Sequence, residues 1–334
     1  MFSKKIGIDL GTANSLVYLE GQGVVLNEPT VVAVSSESGE ILAVGNVAKD
    51  MLGRTPEEIE ASRPLRDGVI ADYVVTEAML SFFLDKVAGR FRLFKPEVMV
   101  CVPAGITSVE RRAVLDATIS AGARNAYLID EPLAAAIGAK IPIGIPSGNM
   151  IVDIGGGSTD TAVISLGGVV VYNSAKTAGN KIDEAIALYV RRKFNLIIGE
   201  RTAEEIKLTI GSATLLDKDT NMEIRGRDSI TGLPKSVELK SGQVTEAILP
   251  VLNQILDSVK QVLEQTPPEL ASDIIDKGIV MSGGTALLKN IDKFFTQTLG
   301  VPCHVAEDPM LCVVYGTGMV LENIDLYRKN IIKR

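Results

Sequence analysis

Two segments place an aspartate, glycines and hydroxyl side chains directly after an apolar stretch. They are residues 9–14 (Asp-Leu-Gly-Thr-Ala-Asn) and residues 153–160 (Asp-Ile-Gly-Gly-Gly-Ser-Thr-Asp). A tight glycine turn can bring backbone N–H groups close to phosphate oxygens, and an aspartate at a strand end suits Mg²⁺, which usually keeps several waters. The candidate phosphate contacts are Thr12, Ala13, Asn14, Gly155, Gly156 and Gly157, and the candidate metal ligands are Asp9 and Asp153.

Either segment alone also fits an ordinary β-hairpin, because the same residue types favour turns. The repetition favours a shared function. Each segment continues with an apolar strand, a glycine turn and another apolar strand ending in Val-Val, which indicates an internal duplication at the scale of a half-molecule. The repeat predicts two similar lobes with a cleft between them, in which two facing loops would clamp a chain of phosphates.

Two further segments could complete a nucleotide site. Residues 281–286 follow a predicted strand, and their adjacent glycines would let an adenosine lie against the backbone. Residues 202–207 open a predicted helix and could border the purine and ribose, although Thr202 and Glu205 also fit a capping box. The residues assigned to these contacts are Gly283, Gly284, Thr285, Ala286, Glu204, Glu205, Ile206 and Lys207.

A carboxylate at a strand-to-helix junction is the candidate catalytic group. Glu131 follows a predicted strand at 126–129 and precedes Pro132, which suits a first helical turn because its missing N–H would have no partner there. The carboxylate could orient or activate a water for attack on a terminal phosphate, with Ser158 assisting. It could also stabilise the helix N-terminus through the helix dipole, and the two roles are compatible.

Composition and missing motifs argue against several other classes. The net charge is −7, so no excess of Lys and Arg is available to neutralise nucleic-acid phosphates, and no nucleic-acid partner is expected. The cysteines form no CxxC pair and His304 is the only histidine, which disfavours a zinc site and a serine-hydrolase triad. The sequence has no Gly-Lys dipeptide and therefore no P-loop, and no GxGxxG follows the first strand.

The sequence predicts a cytoplasmic protein. Three thiols without an evident pairing fit a reducing compartment, and the first residues run directly into a strand pattern without a signal peptide. No apolar run approaches the roughly 20 residues that a membrane-spanning helix needs.

The order of the segments resembles the superfamily of actin, heat-shock chaperones and sugar kinases. Its two phosphate, adenosine and two connecting segments occur in order, the last of them at residues 315–318. Over essentially the whole chain, more specific strings closely resemble the MreB family of bacterial actin-like proteins. These strings are residues 6–13, 27–29, 63–72, 198–203, 232–234 and 266–270.

The resemblance implies an α/β protein with the actin-like ATPase fold, in which two duplicated lobes (four subdomains) surround a nucleotide cleft. Lobe I would span residues 1–145 with a subdomain inserted at about 33–72, and lobe II residues 146–314 with an insertion at about 181–242. Residues 315–334 would form a C-terminal helix that returns to lobe I.

The resemblance also implies a function. The protein would bind ATP and Mg²⁺, hydrolyse ATP slowly, and form paired protofilaments. These filaments would lie on the inner face of the cell membrane, where they would organise cell-wall synthesis together with the elongation machinery and maintain cell shape.

Three residues depart from the family pattern near the expected nucleotide. Ser158 stands where the family usually has threonine, so the hydroxyl is kept and a methyl is lost. Thr285 replaces the usual third glycine of the adenosine loop, and Asn180 replaces the usual aspartate. None of these changes removes the site, so they bear on turnover more than on binding.

Residues 89–95 (Gly-Arg-Phe-Arg-Leu-Phe-Lys) are expected to form a loop between a helix and a strand. Adjacent large apolar residues are unusual in an exposed loop, and the flanking basic residues suit an anionic bilayer surface. The sequence therefore predicts membrane attachment through Leu93 and Phe94, helped by Phe91 and Phe2. The alternative is that Phe94 packs into the core beneath Val98.

Three other functions fit part of the pattern. A chaperone-type ATPase would carry a substrate-binding domain after its nucleotide domain, whereas this sequence stops after its last predicted helix. A small-molecule kinase would need a substrate pocket and a catalytic aspartate base, which the sequence does not identify. A plasmid-segregating actin is disfavoured by the strings that resemble MreB.

Overall fold

The structure is a computed structural model that describes residues 3–66, 68–89 and 94–333. The strands before the second glycine segment are β1 (Lys5–Leu10), β2 (Asn14–Leu19), β3 (Gly23–Pro29), β4 (Val32–Ser35), β5 (Ile41–Val44), β6 (Ile59–Ser62), β7 (Leu65–Arg66), β8 (Val69–Ile70), β9 (Glu97–Val102) and β10 (Asn125–Asp130). The later strands are β11 (Asn149–Ile154), β12 (Thr159–Ser165), β13 (Gly168–Ala175), β14 (Leu196–Ile197), β15 (Asn221–Asp228), β16 (Pro234–Lys240), β17 (Ile279–Ser282), β18 (Cys303–Val305) and β19 (Ile331–Lys333).

The helices of the described residues are α1 (Asn46–Met51), α2 (Tyr73–Ala88), α3 (Ser108–Ser120), α4 (Glu131–Gly138), α5 (Gly179–Phe194), α6 (Glu200–Ile210), α7 (Ser241–Gln265), α8 (Pro268–Lys277), α9 (Ile291–Leu299) and α10 (Cys312–Glu322). Short 3₁₀ helices follow β17 at Gly284–Leu287 and precede α10 at Pro309–Leu311.

Two large sheets repeat one topology. In the first, the order is β19-β10-β9-β1-β2-β3, with β1, β2 and β3 antiparallel and β9 and β10 parallel to β1. In the second, the order is β18-β17-β11-β12-β13, and β11 to β13 are again antiparallel while β17 and β18 run parallel to β11. The internal repeat read from the sequence therefore corresponds to two sheets of the same design.

A smaller sheet is inserted at the equivalent place in each half. Between β3 and β9 the chain forms the sheet β5-β4-β6, and between β13 and β17 it forms the sheet β14-β15-β16. The lobe and subdomain boundaries that the resemblance implies stay predictions.

Helices α4 and α10 pack against each other between the two large sheets. One apolar cluster joins residues of both helices to residues of β9 and β10 on one side and of β11 and β12 on the other. The two helices approach backbone to backbone: a Cβ added to Gly316 would lie 1.8 Å from the carbonyl oxygen of Ala134. Only glycine allows this crossing, which fixes the two halves relative to each other.

Local signals explain where several helices begin. The Asp72 side chain accepts a hydrogen bond from the Val75 amide at the start of α2, and Thr107 and Glu110 form a complete capping box at the start of α3. The last helix is shorter than the C-terminal helix expected over residues 315–334, because α10 ends at Glu322. After a run of turns the chain adds β19 to the edge of the first sheet beside β10.

Candidate functional site

The turn between β1 and β2 (residues 11–13, the first glycine loop) contacts the turn between β11 and β12 (residues 155–158, the second glycine loop). A Cβ added to Gly156 would lie 2.6 Å from Cβ of Ala13, and one added to Gly157 would lie 2.5 Å from Oγ1 of Thr12. Side chains at these glycines would therefore push the loops apart. Because equivalent strands of the two sheets end here, the structure brings the two predicted phosphate loops face to face.

The two loops border a cavity of about 430 Å³. Its wall combines both strand-end aspartates, both loops, one face of α6 and the turn after β17. The predicted site residues that line it are Asp9, Thr12, Ala13, Asn14, Glu131, Asp153, Gly155, Gly156, Gly157, Ser158, Glu204, Lys207, Gly283, Gly284 and Thr285.

Helix α6 contributes a different set of side chains from the one predicted. Glu204, Lys207 and Leu208 line the cavity, because residues three and four apart share one helix face. Ile206 is fully buried in the apolar cluster that packs on the second large sheet, and Glu205 is exposed on another face of the helix. Both therefore lie away from the cavity, contrary to the prediction. The predicted capping box is also wrong, since α6 begins at Glu200 with Gly199 as its N-cap.

The turn after β17 brings only part of its predicted contacts to the cavity. The segment forms a 3₁₀ helix, Gly284–Leu287, in which Thr285 faces the cavity while Ala286 packs into the core at 1% exposure. Ala286 therefore makes no part of the cavity wall, contrary to the prediction. Its small side chain instead allows the turn to pack on the sheet.

The two predicted metal ligands lie on the cavity wall with pKa values well above those of free carboxyl groups. Removal from water raises the pKa of Asp9 to about 6, partly offset by the hydrogen bond that the Cys101 thiol donates to it over 3.3 Å. Burial raises the pKa of Asp153 to about 7, and the Ser282 hydroxyl donates to this carboxylate over 2.6 Å. Desolvated carboxylate oxygens of this kind fit a hard divalent cation such as Mg²⁺.

Glu131 is the first residue of α4 and is 8% exposed. Burial raises its pKa well above the usual range, and the nearby carboxylates of Asp160, Asp9 and Asp153 raise it further. The N-cap position belongs to Asp130, whose side chain makes no capping hydrogen bond and instead pairs with Arg111 at 2.9 Å. The carboxylate of Glu131 thus lies on the cavity wall with Ser158, where it could orient a water.

An ion pair between α5 and α6 lies at the part of the cavity wall that Lys207 forms. Lys207 Nζ lies 2.8 Å from Asp183 Oδ2 and donates a hydrogen bond to the Gly179 carbonyl oxygen over 3.3 Å. Burial raises the pKa of Asp183 to about 6 even though the Lys207 charge lowers it. The pair holds the start of α5 beside α6, and so shapes the wall that was predicted to receive the ribose.

Several lining residues were not predicted from the sequence: Gly68, Gly179, Leu208, Lys289 and Met310. Leu208 could have been found, because it is four residues from Glu204 on a predicted helix. Gly179 precedes Asn180, which the family pattern did single out and which also lines the cavity. The others reach the cavity through long-range packing, for which the sequence gives no local signal.

The segment predicted to bind membranes is described only in part. Leu93, Phe91 and Phe2 lie outside the described residues. Phe94 is 59% exposed, so the alternative that it packs into the core is wrong. No helix in the described ranges is both long and apolar enough to cross a bilayer.

A second hollow, of about 490 Å³, lies between β5 and α2. It is lined by apolar side chains together with Glu77 and Asp85, and none of the predicted site residues belongs to it. Its lining offers neither a glycine turn nor a cation to receive a phosphate, so the cavity between the glycine loops is the candidate site.

Comparison with known proteins assigns the chain to a family. The family model described as MreB/Mbl protein matches residues 3–329. The cell shape-determining protein MreB of Escherichia coli strain K12 is 51% identical over 332 residues, which cover 98% of this chain and 96% of that protein.

Solved structures share the architecture. The chain matches MreB5 of Spiroplasma citri bound to ADP with a TM-score of 0.93 and 40% identity, covering 98% of this chain and 99% of that one. The AMPPNP-bound form of the same protein matches with a TM-score of 0.93. A MamK double helical filament matches with a TM-score of 0.82 over 96% of this chain and 99% of that chain, and its 21% identity makes it a likeness of fold alone.

Proposed function

Because the chain belongs to the MreB/Mbl family and has an actin-like fold, we propose that it binds ATP with Mg²⁺ in the cavity between the glycine loops, hydrolyses it slowly, and assembles into filaments that help determine cell shape. One observation carries the proposal: two glycine loops, each preceded by a strand-end aspartate, meet across a single cavity. The nucleotides bound to the related MreB5 structures support the same ligand class.

Different residues of the chain would bind different parts of the nucleotide. The backbone of the two glycine loops would receive the phosphates, because small residues leave the N–H groups accessible. The walls formed by Glu204 and Lys207 on one side and by Gly283 and Gly284 on the other would receive the nucleoside.

Asp9 and Asp153 would hold Mg²⁺, through water as is usual for this ion. When bound, the ion would offset negative charge on the phosphates. The two carboxylates are desolvated and close to other acids, so a cation in the site would stabilise their charged forms.

Glu131 would position the water that attacks the terminal phosphate, and Ser158 would assist through its hydroxyl. Both line the cavity at the end where the glycine loops meet. A raised pKa lets a carboxylate accept a proton from water more readily than an exposed glutamate does.

Filaments would arise from contacts between copies of the chain. Head-to-tail contacts that do not close into a ring generate open polymers. Two such polymers would then associate as paired protofilaments. The name of the E. coli relative and the filament of the MamK neighbour support this use. By family resemblance, the filaments would work in the cytoplasm with the cell-wall elongation machinery.

Membrane attachment would occur through Leu93 and Phe94 at the inner face of the membrane. Burying each large apolar side chain contributes roughly 1.5–3 kcal/mol, and each basic residue near an anionic surface adds about 1 kcal/mol. One copy would bind weakly, whereas a filament repeats the segment and gains avidity.

Flotation with liposomes of anionic lipid tests the attachment. With ATP present, the Leu93→Ser/Phe94→Ser variant should stay in solution while still forming filaments. The Leu326→Ser variant, which changes an apolar side chain that is 77% exposed elsewhere, should float like the parent. Flotation of the double variant at the parent level would mean that the attachment lies elsewhere.

Calorimetry tests the nucleotide site. Asp9→Ala and Asp153→Ala should each abolish the Mg²⁺-dependent part of ATP binding, because each removes a carboxylate from the metal site. Asp217→Ala, at an exposed position, is the matched control. Unchanged ATP affinity of both site variants in Mg²⁺ would refute the proposal.

A further inference from the structure

The side chain of Thr285 reaches from the turn after β17 to the second glycine loop. We propose that Thr285 is a positioning residue, which holds this loop and the start of α5 in the arrangement that receives the nucleotide phosphates. The inference rests on the proposed function and extends it, because Thr285 would act through the Gly155 carbonyl rather than by contact with the nucleoside.

The contact is short and buried. Thr285 Oγ1 donates a hydrogen bond to the carbonyl oxygen of Gly155 over 2.7 Å, and the threonine is 7% exposed. The same carbonyl accepts the amide of Gly179 over 3.2 Å, and the Gly156 carbonyl accepts the amide of Asn180 over 2.8 Å. The second glycine loop therefore serves as the N-terminal cap of α5, which has no side-chain cap of its own.

The space beside Gly179 is matched to this hydroxyl. A Cβ added to Gly179 would lie 2.6 Å from Thr285 Oγ1, so an alanine there could not coexist with the threonine without a shift. The Gly179 carbonyl in turn accepts a hydrogen bond from Lys207, which pairs with Asp183. The hydroxyl thus joins a connected set of contacts that runs from the second glycine loop through α5 to α6.

A glycine at position 285 would remove this hydrogen bond and leave those that the amides of Gly179 and Asn180 donate to the loop. The threonine adds a third bond from a separate element. A loop that samples several conformations binds its ligand with an affinity reduced by the fraction in the competent one. Loss of one net hydrogen bond lowers the ratio of the competent conformation to the others by roughly 2- to 10-fold.

The first test compares two substitutions at this position. Thr285→Val keeps the shape but removes the donor, so ATP with Mg²⁺ should bind roughly 2- to 10-fold more weakly. AMP, which lacks the β- and γ-phosphates that the loop would receive, should bind as tightly as to the parent. Thr285→Ser keeps the hydroxyl and should restore ATP affinity. Equal ATP affinity of the valine variant and the parent, or an equal loss for AMP, would overturn the inference.

The second test needs no nucleotide, so it still decides if the proposed function fails and the parent binds no ATP. Amide hydrogen exchange at Gly179 and Asn180 should be faster in Thr285→Val than in the parent and in Thr285→Ser. Exchange at the same rate in all three proteins would show that the hydroxyl does not hold the loop.

A double-mutant cycle covers the case in which the valine variant does not fold. Gly179→Ala should lower the melting temperature of the parent because of the clash with Thr285 Oγ1. In a Thr285→Gly background the same change should cost much less. Additive effects of the two substitutions would overturn the inference.

Discussion

Three carboxyl groups line the cavity, those of Asp9, Glu131 and Asp153, and a fourth, that of Asp160, is near enough to raise the pKa of Glu131. Burial is the largest reason why the pKa of each lies above its ordinary value, about 6 for Asp160 among them. Such a cluster opposes folding, because like charges repel strongly away from water. The proposed role explains why the fold keeps it: a cation and an attacking water need oxygen ligands there.

Among these acids, Glu131 is expected to matter for hydrolysis rather than for binding. Glu131→Gln keeps the size of the side chain and removes its ability to accept a proton. Phosphate release under polymerising conditions should slow by about 10²–10⁴-fold, the usual effect of losing a positioned general base. Nucleotide affinity should stay close to that of the parent.

Glu110 provides the matched control for a purely structural role. It is also a first-turn acid, and its carboxylate accepts hydrogen bonds from the amide and hydroxyl of Thr107, both over 2.7 Å. Glu110→Gln should lower the melting temperature without changing hydrolysis. If Glu131→Gln behaves in the same way, with the parental rate of phosphate release, Glu131 only stabilises its helix.

Most of the cavity wall could be predicted because glycine loops and strand-end acids are local signals. The errors at Glu205 and Ile206 have one cause: four consecutive helical residues were assigned to the cavity, whereas residues three and four apart, such as Glu204, Lys207 and Leu208, share one face of α6. Cys101, whose thiol touches Asp9, was not predicted, because its place in the site depends on the pairing of β9 beside β1. Which side chains meet in space depends on such pairings.

The packing of α4 on α10 likewise could not be predicted, because it brings together elements that are far apart in the sequence. Pro132 marks the start of α4 in the sequence, and the structure has this proline in the first turn. Nothing local to Gly316 indicates that it must meet the backbone of Ala134.

Three ion pairs connect the region of α1 and β6 with helix α6, next to the cavity. Lys49 pairs with Glu204 at 3.1 Å, Arg63 with Glu200 at 2.7 Å, and Asp50 with Arg201 at 3.2 Å. Each is partly exposed, so each contributes at most about 1 kcal/mol and is weakened by salt. Together they join the two insertions beside the part of the cavity wall that Glu204 forms.

We expect these pairs to slow nucleotide release. The Lys49→Gln/Asp50→Asn/Arg63→Gln variant should release a fluorescent ADP faster than the parent. Added salt should reduce the difference between the two release rates. Arg225→Gln removes an exposed ion pair within β15 and should leave the rate unchanged. A parental release rate in the triple variant at low salt would show that these pairs do not control nucleotide release.

The two-fold design of the molecule was the most predictable feature of the fold. The aspartate and glycine pattern occurs twice, and each copy opens a sheet of the same topology. The sequence could not show how the halves are held, because that depends on α4, α10 and β19, whose contacts join distant segments. The exact lobe boundaries likewise depend on packing and stay predictions.

Assembly is the property on which the proposed function depends, and ATP-dependent sedimentation tests it most directly. With ATP and Mg²⁺, the purified protein should form pelletable filaments above a threshold concentration, and Asp153→Ala should remain in the supernatant because its metal site is lost. A parent protein that stays monomeric at high concentration, with ATP, Mg²⁺ and lipid present, would contradict the account.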